Sequence, residues 1–454
     1  MNKILKKTVY CSLIALIISS CNDAQVEQPF QNNNIKAFDA TDLNIDVGAY
    51  KSYTVSKTDN LFLEDLSKRS FRFFVEHSDI NTGLTLDRAA TDGSPSKTNI
   101  SSSAATGFAL SAFCIAAQRG WIPNSEAQNR IRKTLKFLYE KAPQEHGWYL
   151  HFMDQKTGDR RWKSEYSTID TALLLGGVLA ARQYFKSDSE IYSLATKIYE
   201  RVDFAWMMDK STNLLSHGWT PEDGFIPYHW DTYSEHMILQ ILAIGSSTHP
   251  IPPEAWKAWK RTTTNYAGYT YLNSGPLFTH QYSPSYVDFR HRKDTNSDLQ
   301  TDFFVNSVKA TKAHKQFCLD ISKQFSGYKE NIWGITASDS AKGYLAWGGP
   351  PLTPDIDGTV VPCAAGGSLM FTPDITIPAL QAMQHDFGNK IYGRYSFVDA
   401  FNPITGWVNP DVIGLDIGIT LLSAENLRTG NIWKWFMQNP EIPRAMDLIG
   451  LQKY

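Results

Sequence analysis

The strongest constraint on the fold is the alternation of two kinds of predicted helix along the chain. One kind is amphipathic with a charged face, as in residues 124–141, 189–209 and 253–266. The other kind is almost uncharged and rich in small residues, as in residues 103–117 and 171–181. A helix that is apolar on all sides has to be buried on all sides, whereas an amphipathic helix covers a core with one face. The alternation therefore predicts an all-α protein with two concentric rings of helices, an α/α toroid.

The helical periodicity extends from about residue 57 to the C-terminus, and strand-like alternation is scarce. The predicted helices begin near residues 60, 102, 124, 167, 188, 232, 253, 302, 374, 415 and 431. The loops between them carry most of the Trp, Gly and Pro. With 44 Lys and Arg against 46 Asp and Glu, the chain lacks the basic excess of a nucleic-acid-binding protein. We expect no nucleic-acid partner, and a monomer.

The N-terminus has the pattern of a bacterial lipoprotein signal. Three lysines precede an apolar run over residues 9–18, which is too short for a permanent membrane span. The run ends in Ile-Ser-Ser-Cys21. We predict a signal peptide over residues 1–20, lipidation of Cys21, a polar tether over 21–56 and a catalytic domain over 57–454. An ordinary secretory signal with an incidental Cys is the alternative.

The lipid would hold the protein in the bacterial cell envelope, on the periplasmic face or at the cell surface. Three cysteines remain in the domain, Cys114, Cys318 and Cys363, in apolar settings and without a CxxC pair. They are predicted to be buried free thiols, and neither a disulfide framework nor a zinc site is indicated. Residues 294–298 begin like a calcium loop but lack its Gly and its closing Glu, so no metal is expected.

Three of the predicted helices begin with an acid where packing alone would favour an apolar residue. These acids are Asp170, Glu235 and Asp416. The N-termini of the inner helices of a toroid can converge at one mouth. Carboxyl groups collected there would form the kind of pair that hydrolyses a glycosidic bond.

Helix capping is the alternative explanation for two of these acids. Ser167 with Asp170, and Thr232 with Glu235, have the spacing of a capping box. An acid in the first turn also complements the helix dipole. Ile413 stands at the corresponding position before Asp416, so no capping box explains that acid.

Aromatic residues are unusually frequent, with 13 Trp, 21 Tyr and 24 Phe, and they crowd the loops before two of the acids. Flat rings stack on the apolar faces of sugars, although isolated aromatics more often belong to a core. Clusters in loops favour a carbohydrate surface. The predicted sugar-contacting aromatics are Trp162, Tyr166, Trp219, Trp230 and Tyr233.

Several motifs, in order along the domain, resemble the bacterial glycoamylase-like family, which includes the endo-β-1,2-glucanases of glycoside hydrolase family 144. The motifs are SSAATGF (102–108), EYSTIDTALLL (165–175), VDFR (287–290), TASD (336–339), DGTV (357–360), FVDAFN (397–402) and GLDIG (414–418) with EN (425–426).

The resemblance implies an (α/α)6 toroid that hydrolyses β-1,2-glucan or sophoro-oligosaccharides with inversion at the anomeric carbon and without a cofactor. Residues 283–286 depart from the family pattern, which leaves endo and exo cleavage both open. Glu235, which enters an apolar helix from an aromatic loop, is predicted to be the general acid. Asp416 is predicted to be the general base. Asp170 and Asp399 are reserve candidates for catalysis, and the further predicted substrate-binding residues are Glu165, Asp170, Asp288, Arg290 and Asp399.

Three other functions fit parts of the sequence. A polysaccharide lyase on the same toroid would want a basic cleft, and this chain is near neutral. A non-catalytic glycan-binding lipoprotein would use the aromatics but not the acids at the helix starts. A hydrolase of another glucan, acting like a glucoamylase, is the third alternative.

Overall fold

The computed structural model describes residues 41–47, 51–96, 98–350 and 356–454. The predicted signal peptide, Cys21 and residues 22–40 of the predicted tether lie outside the described residues. Within the described ranges, no helix is long and apolar enough to cross a membrane.

Fourteen α-helices account for most of the described secondary structure. They are α1 Lys57–His77, α2 Ser103–Gln118, α3 Asn124–Glu140, α4 Thr168–Tyr184, α5 Ser189–Glu200, α6 Met237–Gly245, α7 Ala255–Ala258, α8 Tyr282–Tyr286, α9 Phe303–Asp320, α10 Pro362–Gly366, α11 Pro373–Phe387, α12 Gly414–Thr429, α13 Asn431–Met437 and α14 Glu441–Leu448.

The helices form the (α/α)6 toroid, and its inner ring consists of the helices that are buried on all sides. In sequence order these are α2, α4, α6, α8, α10 and α12. Helix α2 contacts α4, α4 contacts α6, α6 contacts α8, and α12 contacts α8, α10 and α2, which closes the ring. Helices such as α3 and α5 bury one face only and lie outside. The predicted two-ring architecture is confirmed.

Small residues let the inner helices approach each other closely. A Cβ atom on Gly177 of α4 would lie 1.9 Å from the carbonyl oxygen of Gly107 on α2, and one on Gly107 would lie 2.4 Å from that of Leu173. Both distances are far inside van der Waals contact, so only glycine permits this crossing. The small-residue composition that marks the inner helices is therefore a packing requirement.

The strands are short and almost all pair as two-stranded antiparallel ribbons in the described part of the chain. The exception is a three-stranded sheet in the order β12-β11-β8. The strands are β1 Leu43–Val47, β2 Lys51–Val55, β3 Arg88–Ala90, β4 Ile100–Ser102, β5 Gln144–Glu145, β6 Trp148–Tyr149, β7 Phe152–Asp154, β8 Tyr166–Ser167, β9 Met208–Asp209, β10 Leu214–Leu215, β11 Gly218–Thr220, β12 Gly224–Phe225, β13 Thr263–Tyr266, β14 Tyr269–Leu272, β15 Arg292–Asp294, β16 Ser338–Ser340, β17 Gly343–Leu345, β18 Tyr392–Gly393, β19 Ser396–Phe397, β20 Asp411–Ile413 and β21 Leu451–Lys453.

The last part of the predicted tether forms a hairpin. Strands β1 and β2 pair in an antiparallel register from Leu43 opposite Val55 to Val47 opposite Lys51. Val55 is fully buried in a core cluster with residues of α1, α9 and α11. The folded region therefore begins before residue 57.

Two predicted amphipathic helices are shorter than expected. The predicted helix over 253–266 is helical only at Ala255–Ala258, because the β-branched run 262–264 enters the β13–β14 hairpin. Ala267 and Gly268 both have positive φ at its tip, which suits a tight hairpin turn. The predicted helix over 189–209 ends at Glu200, and Asp203 then accepts a hydrogen bond from the backbone N–H of Trp206 in a turn.

Candidate active site

Asp416 lies in the first turn of the inner helix α12, which directly follows strand β20. The strand pairs with β3, and the backbone N–H of Gly414 donates to the carbonyl oxygen of Asp87 at 2.7 Å. No side chain caps α12, as the sequence predicted. The Asp416 carboxyl is thus buried at a helix start without a capping role.

Asp399 and Asp416 form a hydrogen-bonded carboxyl pair. Burial and the Asp399 carboxylate raise the pKa of Asp416 well above its ordinary value. Burial raises the pKa of Asp399 to about 6, although hydrogen bonds from Asp416 and from the backbone N–H of Asp339 act in the opposite direction. Two buried carboxyls this close share one proton near neutral pH.

A polar network holds the Asp399 carboxylate in place. Its Oδ2 accepts hydrogen bonds from the backbone N–H of Asp339 at 2.9 Å and from Asn409 Nδ2 at 2.7 Å. Asn409 also donates to Asp339 Oδ2, at 3.0 Å, and Arg88 Nη1 donates to the same oxygen at 2.7 Å. Asp399 is therefore fixed by its neighbours, and within the described residues no group other than Asp416 can donate to its Oδ1.

Asp170 lies in the first turn of α4, and the predicted capping interaction is present there. Ser167 Oγ accepts a hydrogen bond from the Asp170 N–H at 3.2 Å and donates to Asp170 Oδ2 at 2.6 Å. Burial raises the pKa of Asp170, although His151 and Ser167 act against it. Asp170 is thus both a helix-terminus residue and a buried acid.

His151 lies between Asp170 and Glu165. Its Nδ1 is 2.9 Å from Glu165 Oε1, and its Nε2 is 3.6 Å from Asp170 Oδ1. Burial alone would lower the pKa of His151, but the two carboxylates raise it to about 9. Ligand atoms of the three residues lie within 4.8 Å of one another, the spacing of a possible metal site. A protonated imidazole already supplies a positive charge at this place.

Glu235 lies two residues before α6, in an irregular segment, and not inside the first turn. Thr232 makes an isolated parallel bridge to Lys260 and does not cap the helix, so the predicted capping box is wrong. Burial raises the pKa of Glu235 against a hydrogen bond from Ser234, and the charge of Asp170 raises it further. Ser283 Oγ donates to the carbonyl oxygen of Glu235 and accepts from the N–H of Ile238, which ties the segment to α8.

The half-buried Glu235 carboxyl opens into a cavity of about 600 Å³, called here the Glu235 cavity. Its lining includes Tyr228, His229, Trp230, Thr232, Phe278 and Thr279. Its volume fits a ligand of a few sugar rings.

Electrostatic interactions connect the acids across one region. The Glu235 carboxyl interacts with Asp170, Asp170 with Asp87, and Asp87 with Asp416. Both Glu235 and Asp416 also raise the pKa of the buried Tyr282. The structure therefore brings the three predicted acids, with Asp399, into one acidic centre.

Two of the predicted sugar-contacting aromatics are packing residues. Tyr233 is 0% exposed, and its hydroxyl bonds to His280 Nδ1 at 2.9 Å. Trp230 borders the Glu235 cavity, but its ring already stacks against His217 and His236 at centroid distances of 4.1 and 5.6 Å. Neither ring offers a free face to a sugar, because both rings pack against neighbouring side chains and anchor the segment before α6 in the core.

The other three predicted aromatics are accessible. Trp162 is 61% exposed and meets the edge of Phe152, whose ring stacks on His151 at 3.8 Å. Trp219 and Tyr166 are cross-strand neighbours in the three-stranded sheet, with ring centroids 5.9 Å apart.

Asp288 and Arg290 are away from the acidic centre, so their predicted place in the substrate-binding cleft is wrong. They form a bidentate salt bridge with both distances at 2.8 Å, and Arg290 lies over the ring of Trp433 at 4.0 Å. The cavity they line is bordered by residues 426–430, at the C-terminal end of α12. That end is about 15 Å along the helix from Asp416.

Asp294, the first residue of the incomplete calcium loop, forms a buried ion pair with Arg261. Its Oδ2 accepts from Arg261 Nη2 at 2.9 Å and from Trp256 Nε1 at 3.2 Å. The three cysteines of the domain are buried free thiols, as predicted. The Cys363 thiol lies near the Asp416 carboxyl, and the charges of Asp416 and Asp399 add to burial in raising the pKa of that thiol.

The sequence reasoning missed four residues of the acidic centre: Asp87, His151, Asn409 and Tyr282. None of them lies at a predicted helix start. Asp87 precedes β3, whose pairing with β20 brings it to the start of α12. Only the long-range strand pairing reveals that position.

Comparison with known proteins finds similar sequences and similar folds. The family model "Glycoamylase: Putative glucoamylase" matches residues 227–440. An exo β-1,2-glucooligosaccharide sophorohydrolase of Parabacteroides distasonis is 29% identical over 434 residues, which are 87% of this chain and 58% of the relative. This chain therefore spans little more than half the length of that relative.

Solved structures agree with these matches. The endo-β-1,2-glucanase of Chitinophaga pinensis, in complex with sophorotriose and glucose, has a TM-score of 0.81 at 27% identity and covers 87% of this chain and 99% of its own. A β-1,2-glucanase of Parabacteroides distasonis has a TM-score of 0.80 at 27% identity, covering 88% of this chain and 62% of its own. The chain is therefore similar to the glycoamylase family model and to these β-1,2-glucanases.

Proposed function

We propose that this protein is a glycoside hydrolase that cleaves β-1,2-glucan or its oligosaccharides with inversion at the anomeric carbon. One observation carries the proposal: Glu235 lines a sugar-sized cavity and is linked electrostatically, through Asp170 and Asp87, to the buried Asp399–Asp416 pair, and the pKa values of all three acids are raised. Inverting hydrolysis needs one protonated acid and one carboxylate that activates water. Relatives that act on β-1,2-linked glucans supply the substrate class.

Glu235 is the general acid in this proposal. Its raised pKa keeps the carboxyl protonated at a pH where an exposed glutamate is ionised. The segment before α6 presents it to the Glu235 cavity, and its only side-chain hydrogen bond within the described residues is from the adjacent Ser234. The proton can therefore be delivered to the leaving glycosidic oxygen.

The Asp399–Asp416 pair acts as the general base. Near neutral pH the pair holds one proton and one negative charge, and it becomes fully protonated only below about pH 6. A base with a pKa near the working pH is efficient in abstracting a proton from water. Asp416 accepts the proton of the water at its Oδ2, which has no hydrogen-bond partner within the described residues. The proton that Asp416 already holds passes at the same time to the ionised Asp399, so the pair as a whole takes up one proton.

Asp170, Glu165 and His151 hold the substrate. They form a charged, hydrogen-bonded group beside Glu235, and their polar atoms suit the hydroxyls of a glucosyl residue. The exposed Trp162, next to His151 through Phe152, supplies a stacking face.

The test is incubation of the purified protein with linear β-1,2-glucan, laminarin, starch and cellulose, with the products resolved over time. We expect cleavage of β-1,2-glucan alone, and the same rate in the presence of EDTA. A ladder of products indicates endo cleavage, whereas a single short product indicates exo cleavage. Glucose release from starch without action on β-1,2-glucan would contradict the substrate, and unsaturated products would indicate a lyase.

We further propose that the mature protein is anchored to the bacterial envelope by lipid on Cys21. The support is the lysine-rich start, the short apolar run and the Ile-Ser-Ser-Cys21 sequence. Radiolabelled palmitate should enter the wild-type protein and not the Cys21→Ala variant. Equal labelling of the two proteins would show that Cys21 is not the site.

A further inference from the structure

A second cavity, of about 670 Å³, adjoins the Glu235 cavity. We call it the Trp206 cavity. Its lining includes Trp206, Met208, Asp209, Lys210, Phe225 and His229. His229 also lines the Glu235 cavity, so the two cavities share one lining residue.

The Trp206 cavity has a rigid aromatic wall. Trp206 stacks on His146 with ring centroids 4.2 Å apart and planes at 16°. Phe225 and Trp219 lie 5.1 and 5.5 Å from the Trp206 ring at steep angles. Phe225 is 47% exposed, so part of its ring is open to a ligand.

Charged groups border this aromatic wall. Asp203, Asp209 and Lys210 line the cavity beside Trp206 and Phe225, and His229 Nε2 lies 4.0 Å from Asp209 Oδ2. A partner with a purely apolar face would offer no polar group to these charges. A sugar ring satisfies both parts of the surface, because its C–H face packs on an aromatic ring while its hydroxyls bond to carboxylate and ammonium groups.

The aromatic wall continues toward the acidic centre. Trp219 pairs across the sheet with Tyr166, and Tyr166 directly follows Glu165. A glucan chain that extends from the Glu235 cavity past His229 would therefore have the faces of Trp206 and Phe225 available for stacking.

We propose that the Trp206 cavity is an accessory site that binds glucosyl residues of the chain whose scissile bond lies beside Glu235. The inference rests on the proposed function for the identity of the sugar. It implies that the protein holds a long glucan more tightly than a short oligosaccharide, because only the long chain reaches past His229.

The test uses the full chain with Trp206→Ala or Phe225→Ala. Each variant should raise KM for long linear β-1,2-glucan about tenfold, the equivalent of about 1.4 kcal/mol of binding. Both should leave kcat/KM for sophorotriose unchanged. The matched control is Tyr192→Ala, which removes a similarly exposed aromatic, 41% exposed, from the outer helix α5.

Thermal unfolding shows whether each variant is folded. If Trp206→Ala is unstable, the test is made with Phe225→Ala alone. Unchanged KM for long glucan in a folded variant would overturn the accessory site, as would an equal loss on sophorotriose. If the wild type hydrolyses no β-1,2-glucan, the proposed function fails by itself. The accessory site is then tested by retardation of the protein in gels containing that glucan, which should be weaker for Phe225→Ala than for Tyr192→Ala; equal retardation would overturn it.

Discussion

The start of α4 and the approach to α6 each bring one acid to the same centre, but they hold it in different ways. Asp170 is fixed inside a helix turn, where Ser167 bonds to both its backbone N–H and its carboxylate. Glu235 precedes its helix, and its carboxyl bonds only to the adjacent Ser234 within the described residues. A fixed, multiply bonded carboxylate suits substrate binding, whereas a carboxyl with few partners can release a proton.

The difference arises from the chain before α6. The backbone N–H of Tyr233 donates to the carbonyl oxygen of Lys260 at 2.9 Å, and the N–H of Lys260 donates to that of Asp231 at 2.8 Å. Tyr233 itself is buried against His280. These contacts hold residues 231–233 extended, so the helix cannot begin at Thr232, although the motif has the same spacing as at Ser167.

The largest expected effect is a loss of kcat when Glu235, the acid that precedes its helix, is replaced. Glu235→Gln should fold normally and lose roughly 10³-fold in kcat, about 4 kcal/mol of barrier, because an amide cannot protonate the leaving oxygen. Asp416→Asn should lose as much, since it removes the base. Steady-state kinetics with circular dichroism measures both.

The matched controls are Glu254→Gln, which changes an exposed glutamate just before α7, and Asp374→Asn, in the first turn of the outer helix α11. Neither should change kcat. Near-wild-type turnover of Glu235→Gln or Asp416→Asn would move the catalytic role to Asp170 or Asp399.

The pH dependence of kcat/KM should be bell-shaped. On the acidic side the rate should fall as the pH drops through about 6, because Asp399, with its raised pKa, becomes protonated and the pair loses its negative charge. On the alkaline side the rate should fall when Glu235 loses its proton, above the usual range of a glutamic acid. A rate that stays constant from pH 7 down to pH 4 would refute the pair as the base.

Asp170→Asn tests the fixed acid and should have a smaller effect. We expect kcat/KM to fall about tenfold, mainly through KM, because Asn keeps the shape but weakens a charge-assisted hydrogen bond to the substrate. The pKa of His151 should also fall from about 9, since Asp170 contributes to raising it. NMR titration of His151 measures that shift. A loss of kcat as large as that of Glu235→Gln would make Asp170 the catalytic acid.

The sequence was sufficient for the rings and for the placing of Asp170 and Asp416 in the first turns of buried helices, because both depend on local composition. An uncharged helix such as α2 has to lie in the inner ring. An acid in the first turn of a buried helix, such as Asp170 in α4, stands out in the sequence because the rest of that helix is apolar. It was insufficient for Tyr233, whose burial depends on contacts with residues around 260 and 280, and for Asp288, which lies at the far end of α12. Asp87 was invisible for the same reason, since strands β3 and β20 are more than three hundred residues apart along the chain.

The smallest expected effect compares the two capping motifs directly. Ser167→Ala should lower the free energy of unfolding by about 1 kcal/mol, because it removes the side chain that accepts the N–H of Asp170 at the start of α4. Thr232→Ala should cost less than about 0.5 kcal/mol, since Thr232 caps no helix and is partly exposed. Urea unfolding of both variants measures the difference. Equal losses would mean that Thr232 stabilises the segment before α6 as much as Ser167 stabilises the start of α4. Capping would then not explain why Asp170 is held more tightly than Glu235.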